Sequence, residues 1–229
     1  MKKLTICLTR TEMLAGLIYL PVQILVLPVV LVLINMLLGS PLSDVHLNFI
    51  FFCVDFICIT VIFHRFLGSS AKLSFAQPWH CLRSAFFGFI LYWLGSFLVN
   101  IMIIFVYPDF SNVNDASIME LTQQNYTLMA IGTVLLVPVV EETLYRGVVF
   151  GSLYKRSRVA AYTVSTLVFS ALHVVGYIGL YEPLHLLMCL LQYIPAGLCL
   201  CWAYVRADSI WAPILIHMTI NQIGVLSMR

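Results

Sequence analysis

The sequence predicts an all-α, polytopic integral membrane protein: one membrane domain over residues 1–229, about seven transmembrane helices, N-terminus cytoplasmic. Three observations predict it. Apolar and aromatic residues make up 62% of the chain and charged residues only 10%, against about 25% charged in an ordinary soluble domain. A water-soluble globule of this size cannot be surfaced with so little charge. The apolar residues collect into runs close to the roughly 20 residues that cross a bilayer core. Lys and Arg then fall almost wholly in alternate segments between those runs, a criterion that uses no hydropathy information. Together these exclude a soluble enzyme, a disordered chain and a nucleic-acid-binding protein. The seven cysteines are odd in number and mostly sit in apolar runs, so they read as packing residues and not as a disulfide framework.

The first span runs over 13–38, where Pro21 and Pro28 predict kinks that a helical bundle can satisfy. Lys2 and Lys3 ahead of an apolar stretch imitate a signal peptide, but Arg10 and Glu12 interrupt it and the run from Met13 is too long for an h-region. The second span, 47–63, is near the short limit and holds Asp55. Segment 66–83, with Pro78, Trp79 and His80, lies on the basic side and reads as a plain loop or a surface helix. Spans over 84–107, 126–150, 159–176, 184–204 and 209–227 follow, the 159–176 span again short. Lys2, Lys3, Arg10, Arg65, Lys72, Arg83, Lys155, Arg156, Arg158 and Arg206 all fall on one side. Segments 39–46, 108–125 and 177–183 hold no Lys or Arg and carry Asp44, Asp109, Asp115, Glu120 and Glu182. The positive-inside rule therefore puts the N-terminus in the cytoplasm and the C-terminus outside. Of the twelve basic residues, only Arg229 and Arg146 stand apart.

Ionisable side chains inside a span cost about 2.5–3.5 kcal/mol each on insertion scales, so they mark where function is sought first. Span 126–150 holds Glu141, Glu142 and Arg146, which must face protein or a water-filled cavity. Residues four apart share a helix face, so Glu142 and Arg146 can pair. Glu141 projects from another face beside Tyr145, without that partner, and suits a general base. Pro138 can bend the helix just before it. His173 lies four residues after Phe169, whose ring can wall the imidazole. His217 and Asn221 share a face of the last span, where their donors could form an oxyanion site. Measured from Lys155, Arg158 and Arg206, Glu141, His173 and His217 lie roughly 21, 22 and 16 Å deep. Those similar levels predict one site in the middle or cytoplasmic half of the bilayer, reached by a funnel from the cytoplasm or by a lateral opening.

At these residues the sequence resembles a known family. Glu141-Glu142-Thr143-Leu144-Tyr145-Arg146 matches EExxxR, Phe169 to His173 matches FxxxH, and His217 to Asn221 matches HxxxN. All three occur in the order found in the CAAX protease and bacteriocin-processing (CPBP, or Abi) family of intramembrane endopeptidases. The resemblance covers about residues 126–227, the expected catalytic core, and earlier spans add a compatible membrane context. It implies an intramembrane peptide hydrolase in which Glu141 and His173 activate a water, His217 and Asn221 stabilise the oxyanion, and Glu142 and Arg146 form a supporting ion pair. It further implies no metal and no cofactor, and a hydrophobic or membrane-associated peptide or protein as substrate. Short loops look more like a bacterial member, hence a multi-pass protein of the bacterial plasma membrane.

Two histidines with a carboxylate are also a common zinc set, though the chain has no HExxH and the ligands would come from three helices. A protein of another class, sequestering a peptide or conferring bacteriocin immunity without cutting, would use the same cavity. A transporter is disfavoured by the lack of an internal repeat. Asp55 reads as lining the funnel or pairing with a neighbouring span. His46 and His185 are expected at the outer interface and His64 and His80 at the inner one, in structural roles. Cys199 and Cys201 point to different helix faces and read as packing.

Overall fold

The computed structural model describes residues 4–228, so Lys2, Lys3 and Arg229 lie outside the described residues. Five helices are long and apolar enough to cross a membrane. They are α1 (Arg10–Leu37), α2 (Asp44–Ile62), α4 (Pro78–Val106), α6 (Tyr126–Tyr154) and α8 (Pro183–Ala207). The two other expected spans are shorter helices, α7 (Arg158–Leu172, 15 residues) and α9 (Trp211–Ser227, 17 residues). Of the two readings of 66–83, the surface helix is present, as α3 (His64–Ala76). A helix not foreseen, α5 (Val113–Gln124), lies in the segment read as a loop, its start capped by Asn112. Among the described residues there is no strand, only an isolated bridge between Ile178 and Tyr181.

Local signals explain the helix ends. Thr9 and Glu12 form a capping box at the start of α1. Glu12 Oε1 also accepts from the Phe66 N–H at 3.0 Å, tying α1 to α3. Asp208 ends α8 in the left-handed conformation at φ 57°, and its carboxylate accepts from the Thr5 N–H at 2.8 Å.

α6 is the central helix: Val140, Leu144, Val148 and Phe150 are all but inaccessible. α1 and α4 are peripheral, with Leu25, Leu37, Phe86 and Phe105 turned outward, as a lipid-facing surface requires. The helices widen into π-helical turns at Val22–Val26, Ile131–Leu136 and Thr143–Phe150. The first two each stop two residues before a proline, Pro28 and Pro138. A proline brings no N–H and its ring clashes with the carbonyl four residues back. A wide turn absorbs both, where straight kinks were expected.

The basic-residue side of the bundle is filled by aromatic packing. Phe63 and Phe150 are inaccessible, and Phe150 lies 5.0 Å from Tyr154 and 5.2 Å from Tyr162, centroid to centroid. α7 and α8 cross closely at Gly197, where an added Cβ would stand 2.6 Å from Thr166 Cγ2 and 3.1 Å from its Cα. Small residues at such crossings let backbones approach. Gly197→Val is expected to destabilise the protein by about 1–3 kcal/mol, read as a lower thermal unfolding temperature in detergent. Gly176→Ala, at a position with open space around it, is expected to leave that temperature unchanged.

Candidate active site

The wide turn over Thr143–Phe150 carries Arg146 directly after the Glu141-Glu142 pair. Arg146 and Glu142 are fully inaccessible and pair at 2.9 Å between Nη1 and Oε1, as their spacing predicts. Arg146 Nη2 reaches the Gly197 carbonyl at 3.4 Å, and the guanidinium lies 4.4 Å above the Phe169 ring, a cation–π contact. The Tyr145 carbonyl in this turn accepts from Ser165 Oγ at 2.8 Å.

Glu142 does more than the sequence indicates. Its Oε1 also accepts from His217 Nδ1 at 2.8 Å. A carboxylate paired with arginine can only accept, so the His217 proton is held on Nδ1 and Nε2 is left to face the cavity. His173 is held in the same sense by a different device. It stands just after the last residue of α7, where helix carbonyls lack partners. Its Nδ1 donates to the Phe169 carbonyl at 2.8 Å.

Both Nε2 atoms therefore converge on one carboxylate oxygen. Glu141 Oε2 lies 3.9 Å from His173 Nε2 and 4.0 Å from His217 Nε2, too far for direct hydrogen bonds. It has no hydrogen-bond partner. Phe169 organises the group, with ring centroids 4.6 Å from His173 and 5.9 Å from His217. The expected walling of His173 by this ring is present. Asn221 reaches the same cavity, with its Nδ2 donating to the Thr133 carbonyl at 2.8 Å in the Ile131–Leu136 wide turn. One of its two amide hydrogens is thus committed. All six motif residues singled out in the sequence meet in one place.

The cavity has a volume of about 540 Å³ and starts at mid-bundle with Tyr145, Leu200 and His217. It runs toward Asn112, Asn114, Asp115 and the C-terminal turn at Ser227 and Met228. Among the described residues, no Lys or Arg lines it. This differs from the funnel expected from the basic side, where Phe63 and Phe150 are packed inaccessibly; a lateral opening was the other expectation. Depth along helices locates a site but not its opening. The wall also includes Asp55, Tyr92 and Asn100, so the cavity extends beyond the core expected at 126–227.

A polar network at the open end was missed in the sequence. Tyr193 stacks on His173 with centroids 4.3 Å apart. Its Oη lies 3.2 Å from Asn112 Oδ1 and 3.3 Å from Asp115 Oδ1. Gln192 bridges Asn112 and Asn100 at 2.6 and 3.0 Å. Uncharged amides inside apolar runs were the available signal, but a search restricted to ionisable groups passes over them. Asp55 is held by Tyr19 Oη at 2.7 Å and Gln23 Nε2 at 2.8 Å. The other histidines make local contacts away from the site: His46 with Ser43, His64 with the Val61 carbonyl, His80 with that of Arg206 and His185 with that of Ser111. All seven cysteines are free thiols.

Residues 123–223, the segment holding all three motifs, match the family described as type II CAAX prenyl endopeptidase Rce1-like. Over that segment the chain is similar to the CAAX protease family. It is also 28% identical over 114 residues to a Bacillus subtilis (strain 168) protein named "Putative membrane peptidase YdiL". That similarity covers 49% of this chain and 42% of the relative, so the chain spans less than half of that protein's length. No solved structure matches the chain.

The ion pair at the centre of the candidate site is testable by itself. Arg146→Met leaves Glu142 buried without its counter-charge and is expected to cost about 3–5 kcal/mol of stability. Glu142→Gln combined with Arg146→Met is expected to cost less than Arg146→Met alone, measured by thermal unfolding of the purified variants.

Proposed function

We propose that this protein is an intramembrane endopeptidase that hydrolyses a peptide bond of a membrane-associated peptide or protein, with Glu141 and His173 activating the attacking water. The observation that carries the reading is the convergence of two imidazole Nε2 atoms on the unpartnered Glu141 Oε2 at 3.9 and 4.0 Å. Polar groups that far apart are spaced for a bridging water. Glu141 takes the water's proton as it attacks the scissile carbonyl, His173 Nε2 orients that water, and protonated Glu141 returns the proton to the leaving nitrogen as the C–N bond breaks. Asn221 retains one amide hydrogen for the developing oxyanion. His217 donates from Nε2 only as the imidazolium, for which Glu142 behind Nδ1 is the counter-charge. Glu142 and Arg146 are positioning residues in this scheme.

The family match over residues 123–223 and the name of the Bacillus subtilis relative favour proteolysis over peptide sequestration or immunity. The reading places the protein as a multi-pass protein of the bacterial plasma membrane with no cofactor. Under the orientation that the basic residues favour, the cavity opens on the extracytoplasmic side. The substrate is then a peptide presented at that face, such as a small exported precursor, and not a lipidated tail in the cytoplasm.

Glu141→Gln is expected to lower cleavage about 10²–10⁴-fold, the usual contribution of a general base. The comparison is between membrane peptidomes of cells carrying the intact and the substituted protein. Identical peptidomes overturn proteolysis, and a phenotype that survives Glu141→Gln points to sequestration. Cleavage that persists in a strong chelator argues for the metal-free scheme, and loss restored specifically by zinc overturns it.

The access side has its own test. Asn114→Cys is expected to react with a membrane-impermeant maleimide added to intact cells, above the labelling of the unsubstituted chain. Labelling only after the inner face is opened reverses the proposed direction of entry.

A further inference from the structure

Asp55 is only 2% exposed and accepts from two neutral donors, Tyr19 and Gln23. Among the described residues no cation pairs with it. Glu142, equally buried, has Arg146. Buried carboxylates are ordinarily paired, because an isolated buried charge is costly. Asp55 differs in lining the cavity, and its neighbours there share its character. Gln23 is 8% exposed and lines the same wall. Its Nε2 is committed to Asp55, which turns its Oε1 into an acceptor, and that oxygen has no donor. Asn48 Oδ1, about two helical turns before Asp55 on α2, is another buried acceptor without a donor. Among the described residues, the cavity wall carries the carboxylates of Asp55, Asp115 and Glu141 and no Lys or Arg.

Buried acceptors without donors beside a carboxylate, in a wall whose described residues include no Lys or Arg, are complementary to a cationic, donor-rich group. We propose that Gln23 and Asp55, from the first two helices, form a subsite that receives an ammonium group of the bound peptide, either a lysine side chain or a free N-terminus. The subsite rests on the same cavity being the peptide site of the proposed function. It gives α1 and α2, which lie outside the family match, a role in choosing the substrate.

The test measures binding, so that it does not depend on cleavage. The full-length Glu141→Gln protein in neutral phosphatidylcholine liposomes is titrated with short fluorescent Leu/Ala peptides and read by anisotropy. One peptide is N-acetylated with a single lysine, a second is N-acetylated with norleucine in its place, and a third has norleucine and a free N-terminus. One cationic peptide or both is expected to bind about tenfold more tightly than the neutral one, and which of the two does so identifies the source of the ammonium. Adding Asp55→Asn, a nearly isosteric change, is expected to reduce that ratio to about threefold or less. Gln23→Leu, which leaves the charge in place, is expected to reduce it partly and serves if Asp55→Asn lowers thermal stability. Equal binding of charged and neutral peptides overturns the subsite, as does a preference that neither substitution alters. If the intact protein cleaves nothing while the charge preference persists, proteolysis fails and the subsite stands. If it cleaves without charge preference, the subsite alone fails.

Discussion

The buried chain from Arg146 through Glu142 to His217 is the interaction on which the site depends. Arg146 sits fully inaccessible between the Phe169 ring, the Gly197 carbonyl and the Glu142 carboxylate, so one cation joins α6, α7 and α8. Glu142 passes that order to α9 by holding Nδ1 of His217. In a low-dielectric interior, breaking such a chain leaves a charge with nothing to answer it. The same chain sets which His217 nitrogen faces Glu141, so the ordering of the bundle and of the reactive groups is one physical event.

The three wide helical turns lie where the site needs them. One carries Gln23 against Asp55, one offers the Thr133 carbonyl to Asn221, and one carries Arg146 behind Glu141. Wide turns are often found at functional sites because they change which way side chains leave the helix. Here two of them are tied to prolines in the sequence, so local chemistry that would otherwise break a helix re-aims cavity residues.

The cavity divides the bundle along its axis. Aromatic side chains fill the end next to the basic residues, while amides and carboxylates line the other end. Packing holds the helices at the aromatic end, and a polar wall is left along the rest of the cavity. Tyr193 joins the two, with its ring against His173 and its hydroxyl among Asn112, Asn114 and Asp115.

The sequence by itself determined the helical class and most segments of the bundle, and it singled out the six residues that gather at the candidate site. Apolar run length, the one-sided placement of Lys and Arg, and the rarity of charge within spans are all written along one dimension. Glu142 and Arg146 were legible as a pair because four-residue spacing is a property of the helix alone. The contact of Glu142 with His217 was not, because 75 residues separate them and only the packing of α9 against α6 brings them to 2.8 Å. The same reason hid the opening of the cavity, the role of Tyr193 and the hold of Tyr19 and Gln23 on Asp55. Those features depend on rotation of each helix about its axis and on which side chains fill each end, and only tertiary packing decides them.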